Sequence, residues 1–203
     1  AGLEYDAIPV DTRKGDQFTP EYLAINPNAK APSLVDGDVT VFDSNAILLY
    51  LAEKTGTFLP PDTPVGRGQL LSWLMFVASG VGPYSGQSVH FQFHAPEKAP
   101  YAVNRYRFEA HRHYAILDDQ LKSRPYVLGD VYTIVDMAAW GWARLIPRVL
   151  DDAAWDGLPN LKRLVDEIDA RPATERALAL MANSTFKTEM DAESHRNMFP
   201  SNI

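Results

Sequence analysis

The chain has 203 residues, 46% of them apolar, no cysteine and a formal net charge of −7. That length allows one large domain or two small ones, and the composition suits a globular protein with a real core. The charge argues against a surface built for nucleic-acid backbones. The lack of cysteine excludes disulfides, thiolate metal sites and a protein-borne thiol nucleophile, and no apolar stretch approaches the ~20 residues of a membrane-spanning helix.

Leu3 to Val10 reads as a short strand and "DTRKGDQ" as a polar loop. The opening residues lack the basic segment and continuous apolar core of a signal peptide, so a cytoplasmic location is expected. Thr19-Pro20-Glu21 starts a helix, with Thr19 as N-cap and proline at the first helical position; it ends near Asn26-Pro27. Pro32 then precedes an apolar run. Proline removes a ladder donor, so it belongs at sheet edges, strand starts and bulges. It is either a plain loop proline or a cis residue opening an edge strand. In the second case the N–H and C=O of Ala31 lack ladder partners and can pair with an extended peptide.

Ser33–Val35 and Val39–Phe42 flank Asp36-Gly37-Asp38, a hairpin signal. "DSNAILLYLAEKTG" follows as a helix capped by Asp43 or Ser44. Ile47, Leu48, Tyr50 and Leu51 form its buried side and Gly56 takes the C′ position. A helix start offers unpaired N–H groups to a carboxylate, the Ser44 hydroxyl adds a donor, and Asp43 suits a neighbouring ammonium. An ordinary N-cap is the plain alternative.

Pro60, Pro61 and Pro64 break the chain. Helical patterns dominate beyond them, at about Val65–Phe93, Ala99–Ser123, Thr133–Arg148, Leu158–Ala170 and Ala173–Ala182. The first bends near Gly80-Val81-Gly82-Pro83. The last 20 residues are polar and read as loosely held. The order is a small α/β module at 1–58, a proline-rich linker and an all-helical domain at 65–203: an α+β chain. His90 and His94 stand four apart, but without an acidic neighbour between them, so no metal site is expected. No hydrolase elbow, phosphate loop or dinucleotide fingerprint appears. Tyr84, Phe91, Trp140 and Trp142 are either helical core or the lining of an apolar substrate pocket.

"NPNAKAPSL" and "DSNAI", at their spacing, resemble the "NPxGKVPxL" and "[DE]SxAI" signatures of the glutathione transferases. "YTIVD", Tyr132 to Asp136, resembles that family's capping box, with Thr133 as N-cap and Asp136 three residues on. "KGDQFTPEYLAINPN", "DSNAILLYLAEKTGTFLP" and "APYAVNRYRFEAHRHYAILD" point to the bacterial nu class. The resemblance implies a thioredoxin-like first domain followed by an all-helical one, with glutathione as co-substrate and no metal. It implies glutathione contacts from Gln17, the Ala31 backbone beside Pro32, Asp43, Ser44 and Arg105, the last from its own subunit or across a dimer interface.

Tyr84, Phe91 and His94 are placed at a second-substrate pocket. Homodimerisation is implied, and neither nucleic acid nor membrane is an expected partner. The implied activity is reduction of a small disulfide by the thiolate of bound glutathione; conjugation of an electrophile, or glutathione binding without catalysis, are the alternatives. Ala29 and Ala31 stand where the family usually has glycine and a β-branched residue. The family pattern also puts a strand, a loop and most of a helix before the equivalent of Ala1. The loop carries a Thr-Pro-Asn-Gly segment facing the sulfur, so the thiol-activating residue is expected to precede Ala1 and the first domain to be incomplete at its start.

Overall fold

Prolines and capping side chains set most element boundaries in the computed structural model, which describes residues 1–202. Two compact units form: Ala1–Lys54 together with Pro172–Ile203, and Thr55–Arg171. In the first, α1 (Pro20–Ile25) starts at Thr19, whose hydroxyl accepts the Tyr22 N–H at 3.3 Å. The strands β1 (Ser33–Asp36) and β2 (Val39–Phe42) pair antiparallel, from Ser33 opposite Phe42 to Asp36 opposite Val39. Their loop is Gly37-Asp38, and Gly37 has φ 59°, a left-handed value that a side chain would resist. Helix α2 spans Ser44–Thr55 and stops at Gly56, φ 63°.

Polar side chains dominate the interior of this unit. Ala52 is its one fully buried apolar side chain among the described residues, whereas Asp11, Gln17, Asn26, Asn45, Thr174 and Ser194 are all buried. The side of α2 formed by Ile47, Leu48, Tyr50 and Leu51 is accordingly half-buried rather than buried.

Leu3 to Val10 is not a strand. Leu3, Tyr5 and Ile8 are exposed, and no backbone partner meets this run among the described residues. An apolar pattern makes a strand only where a ladder partner satisfies its N–H and C=O groups.

The C-terminal residues are the second correction. The last 20 include a helix, α10 (Ala192–Met198), and belong to this unit together with the expected α9 (Pro172–Ala182). The polar composition that made them look mobile serves as a clasp. Lys187 N–H donates to Asp11 Oδ2 at 2.6 Å, Arg13 Nη1 donates to the Lys187 carbonyl at 2.9 Å, and the Lys187 ammonium meets Asp191 and Glu193. Burial pushes the Asp11 carboxyl up, but the N–H groups of Lys187, Arg13 and Lys14 outweigh it and hold the group below the usual carboxylate range.

The second unit is helical. Helix α3 (Pro64–Phe76) runs through a π-helical turn, Val77–Val81, into α4 (Gly82–Phe93). The expected bend near Pro83 is taken up there, with Gly82 N–H bonded to the Val77 carbonyl. Helix α5 spans Pro100–Leu121. The single helix expected to Arg148 is two, α6 (Ile134–Ala143) and α7 (Ile146–Val149), because Pro147 has no N–H for the Ala143 carbonyl. A 3₁₀ segment, Asp152–Gly157, leads to α8 (Pro159–Asp169). Leu70, Leu74, Val77, Val81, Tyr114, Leu117, Ile134, Leu161 and Leu164 fill this core. No described helix is long and apolar enough to cross a membrane.

Candidate functional site

The hairpin register defines the site. Ser33 opposite Phe42 is the last pair at the open end of the ladder, so residues 31–32 and 43–44 leave the sheet at the same end. The Ala31–Pro32 peptide is cis. Ala31 is exposed, and its N–H and C=O have no backbone partner among the described residues.

Across the ladder, Asp43 resolves the capping alternative. Its Oδ1 accepts the N–H groups of Asn45 (2.9 Å) and Ala46 (3.2 Å), so Asp43 caps α2, and the exposed Ser44 hydroxyl makes no hydrogen bond among the described residues. Asp43 holds φ 74°, a left-handed value that Asp tolerates better than most residues and that recurs at ligand sites. A free backbone pair, a free hydroxyl, a carboxylate and the electropositive start of a helix thus converge. That set suits a ligand with an amino-acid end and a peptide group.

Gln17 is placed differently. Its side chain is buried, and both hydrogens of its amide nitrogen are used, by the Thr12 carbonyl at 3.2 Å and the Asn197 carbonyl at 3.0 Å. Its Oε1 is the one buried side-chain atom without a hydrogen bond among the described residues, so any contact it makes with a ligand is as an acceptor.

Arg105, Tyr84, Phe91 and His94 lie in the second unit. Arg105 Nη1 donates to Glu109 Oε1 at 2.8 Å, and Arg112 Nε meets the other oxygen at 2.9 Å. The Arg112 hydrogen bond, aided by the charge of Arg105, holds the Glu109 carboxyl below its ordinary range. The Arg105 guanidinium is thus paired within its own helix. Tyr84 and Phe91 are brought together through Tyr106, whose ring stacks on Phe91 at 5.2 Å and tilts against Tyr84 at 6.4 Å. His113 lies against both Phe76 (5.1 Å) and Tyr84 (4.9 Å). His94 is not part of this row; its Nε2 faces Arg148 Nη2 at 3.3 Å.

Sequence reasoning missed Tyr106, and it missed Tyr22 and Asn26, which bond the segment leading to Ala31. Tyr106 had a signal, an aromatic on α5 able to meet the two aromatics named on α4. A hollow lined by Leu3, Glu4, Tyr5 and Asp6 contains none of the residues expected to bind a ligand. No group of three or more His, Cys, Asp or Glu among the described residues is placed to hold a metal ion.

Comparison with known proteins bears on this geometry. Residues 1–53 match the glutathione S-transferase N-terminal domain, and residues 79–172 match the C-terminal domain. The disulfide-bond oxidoreductase YfcG of Escherichia coli is 43% identical over 88% of this chain and 85% of its own. The disulfide-bond oxidoreductase YghU of the same organism is 40% identical over 86% of this chain and 64% of its own. A crystal structure of a glutathione transferase from Burkholderia graminis, with two glutathione molecules bound per subunit, superimposes with a TM-score of 0.82. It is 34% identical and covers 90% of this chain and 80% of its own.

Proposed function

The chain belongs to the glutathione transferase family, and from that premise we propose that it binds glutathione at the open end of the hairpin and reduces small disulfides with that tripeptide's thiolate. The observation that carries the reading is the register, which sends Ala31 and Ser44 off the ladder side by side. The Ala31 N–H and C=O pair the peptide portion of the ligand. Ser44 and the N-terminus of α2 take the α-carboxylate of the γ-glutamyl end, and Asp43 takes its ammonium. Gln17 completes the set, its Oε1 acting as an acceptor.

Tyr84 and Phe91, joined by Tyr106, line the place of the second substrate, whereas His94 turns to Arg148 instead. Disulfide reduction is favoured over other thiol chemistry by the names of the relatives, two of them disulfide-bond oxidoreductases. We place the protein in the cytoplasm as a homodimer; the pairing of subunits is supported by the exposed apolar side chains Val65 and Met75 on α3 and Tyr101 and Phe108 on α5.

An ordinary thiol, with a pKa near ~8.5, is only about 3% ionised at pH 7. Attack of the glutathione thiolate on a substrate disulfide forms a mixed disulfide and expels the other sulfur as a thiolate. With no cysteine in the chain, a second glutathione thiolate resolves the mixed disulfide, leaving glutathione disulfide and the second substrate thiol.

Turnover of 2-hydroxyethyl disulfide and of an aryl halide, each with glutathione, tests this proposal. The expected result is a higher kcat/KM for the disulfide. Faster conjugation of the aryl halide would reassign the protein as a conjugating transferase. Glutathione binding with neither turnover would make it a binding protein.

A further inference from the structure

The edge that the proposed function assigns to the peptide part of glutathione is an exposed loop, yet something holds it. We infer that Tyr22 and Asn26 are positioning residues for Ala31, setting where its N–H points. The Tyr22 hydroxyl donates to the Lys30 carbonyl at 2.8 Å and lies 3.0 Å from Ser33 Oγ, whose hydroxyl it accepts, since its own hydrogen is spent on Lys30. One atom of α1 therefore holds the residue before Ala31–Pro32 and the residue after it.

Asn26 acts on the same carbonyl from the other side. It is 1% exposed, its Nδ2 donates to the Lys30 carbonyl at 2.6 Å, and its Oδ1 accepts the Asn28 N–H at 3.0 Å. Its own carbonyl accepts the Ala29 N–H at 3.1 Å, closing a turn in which Ala29 is held at φ 52°. Asn26 in turn hangs from α1, its N–H bonded to the Tyr22 carbonyl at 2.8 Å.

The Lys30 carbonyl is one half of the peptide unit whose other half is the Ala31 N–H. Peptide units are planar, so two donors fixed on the Lys30 oxygen also fix the direction of the Ala31 N–H. A backbone donor aimed before the ligand arrives spares the ordering cost of binding. The hydroxyl of Tyr22 and the amide of Asn26 touch no ligand; they act through Ala31. The γ-glutamyl seat at Asp43 and Ser44 lies beyond the end of β2, at the start of α2, and does not depend on them.

That separation gives the test. The full chain is titrated with glutathione and, separately, with L-glutamine, which carries the amino-acid end and its amide but no further peptide, in wild type, Tyr22→Phe and Asn26→Ala. The expected result is glutathione binding weakened about fivefold in Tyr22→Phe and at least about tenfold in Asn26→Ala, with L-glutamine binding unchanged within about twofold. In turnover, KM for glutathione rises while kcat at saturation holds. Equal weakening of both ligands would reduce the two residues to general structural roles and overturn the inference, as would unchanged glutathione affinity. Tyr22→Phe leaves the buried Asn26 network intact and decides the matter alone should Asn26→Ala fold poorly. The inference rests on the glutathione reading, and the two fail differently: wild type that does not bind glutathione at all removes both, whereas wild type that binds and variants that bind equally well remove only this one.

Discussion

Asp136→Ala is expected to destabilise the protein by about 3 kcal/mol or more and to lower its Tm by about 6–12 °C. Asp136 is fully buried at the start of α6. Its Oδ1 accepts the Val127 N–H at 2.8 Å, and its Oδ2 accepts the Thr133 N–H at 2.8 Å and the Thr133 hydroxyl at 3.1 Å. Burial pushes this carboxyl above its ordinary range even though these bonds pull it down. Alanine removes the acceptor and strands two buried backbone donors, Val127 and Thr133, each costing about 1–3 kcal/mol when left without a partner. It also breaks the reciprocal cap, since the Thr133 hydroxyl accepts the Val135 N–H at 3.3 Å. Thr133→Ala loses the acceptor for Val135 and the hydroxyl's bond to Asp136 but leaves the Val127 and Thr133 N–H groups partnered, and should cost about 1–2 kcal/mol. Chemical denaturation of the two variants checks the pair, and an Asp136→Ala penalty below about 1 kcal/mol would mean that water or a shifted backbone satisfies those donors.

Ser44→Ala is expected to weaken glutathione binding at least about tenfold, or roughly 1.4 kcal/mol. A hydroxyl that bonds a ligand carboxylate is worth about 1.5–3 kcal/mol when the bond is well made. Ser44 is the cleaner residue to change at the helix tip. Asp43 already caps α2 through the N–H groups of Asn45 and Ala46, so removing it would disturb the helix as well as the ligand. The Ser44 hydroxyl has no such duty, and its loss should leave Tm unchanged while Kd rises. Calorimetric titration of Ser44→Ala and Ser44→Thr separates the two effects, because threonine keeps the donor. A Kd within about twofold of wild type for alanine would mean that the carboxylate is held by backbone N–H groups alone.

The parts legible in the sequence were those with local causes. Asp36-Gly37 announced the hairpin, Thr19-Pro20 the start of α1, Thr133 with Asp136 the cap of α6, and Gly56 the end of α2, each through the conformation or donor count of a few adjacent residues. The grouping of residues 31–32 with 43–44 was legible once hairpin and helix tip were read together, whereas at Pro32 the residues alone left loop and cis open, and the bond is cis. What stayed hidden depends on partners far along the chain. The pattern from Leu3 to Val10 promised a strand, but no spacing reveals whether a ladder neighbour exists. The tail looked loose because Lys187, Asp191 and Glu193 are polar, and only the fold brings Lys187 to Asp11, 176 positions away. Gln17 reads the same in sequence whether or not the carbonyls of Thr12 and Asn197 take its amide hydrogens. Pro147 was the one local signal passed over, and it separates α6 from α7.

Backbone NMR of the full chain titrated with reduced glutathione tests the central claim most directly. If the open end of the hairpin and the tip of α2 hold the tripeptide between them, the largest amide shifts fall at Ala31, Ser44 and Asn45 and saturate with a single Kd. Saturable shifts that leave all three amides unmoved would place the ligand elsewhere and contradict the account.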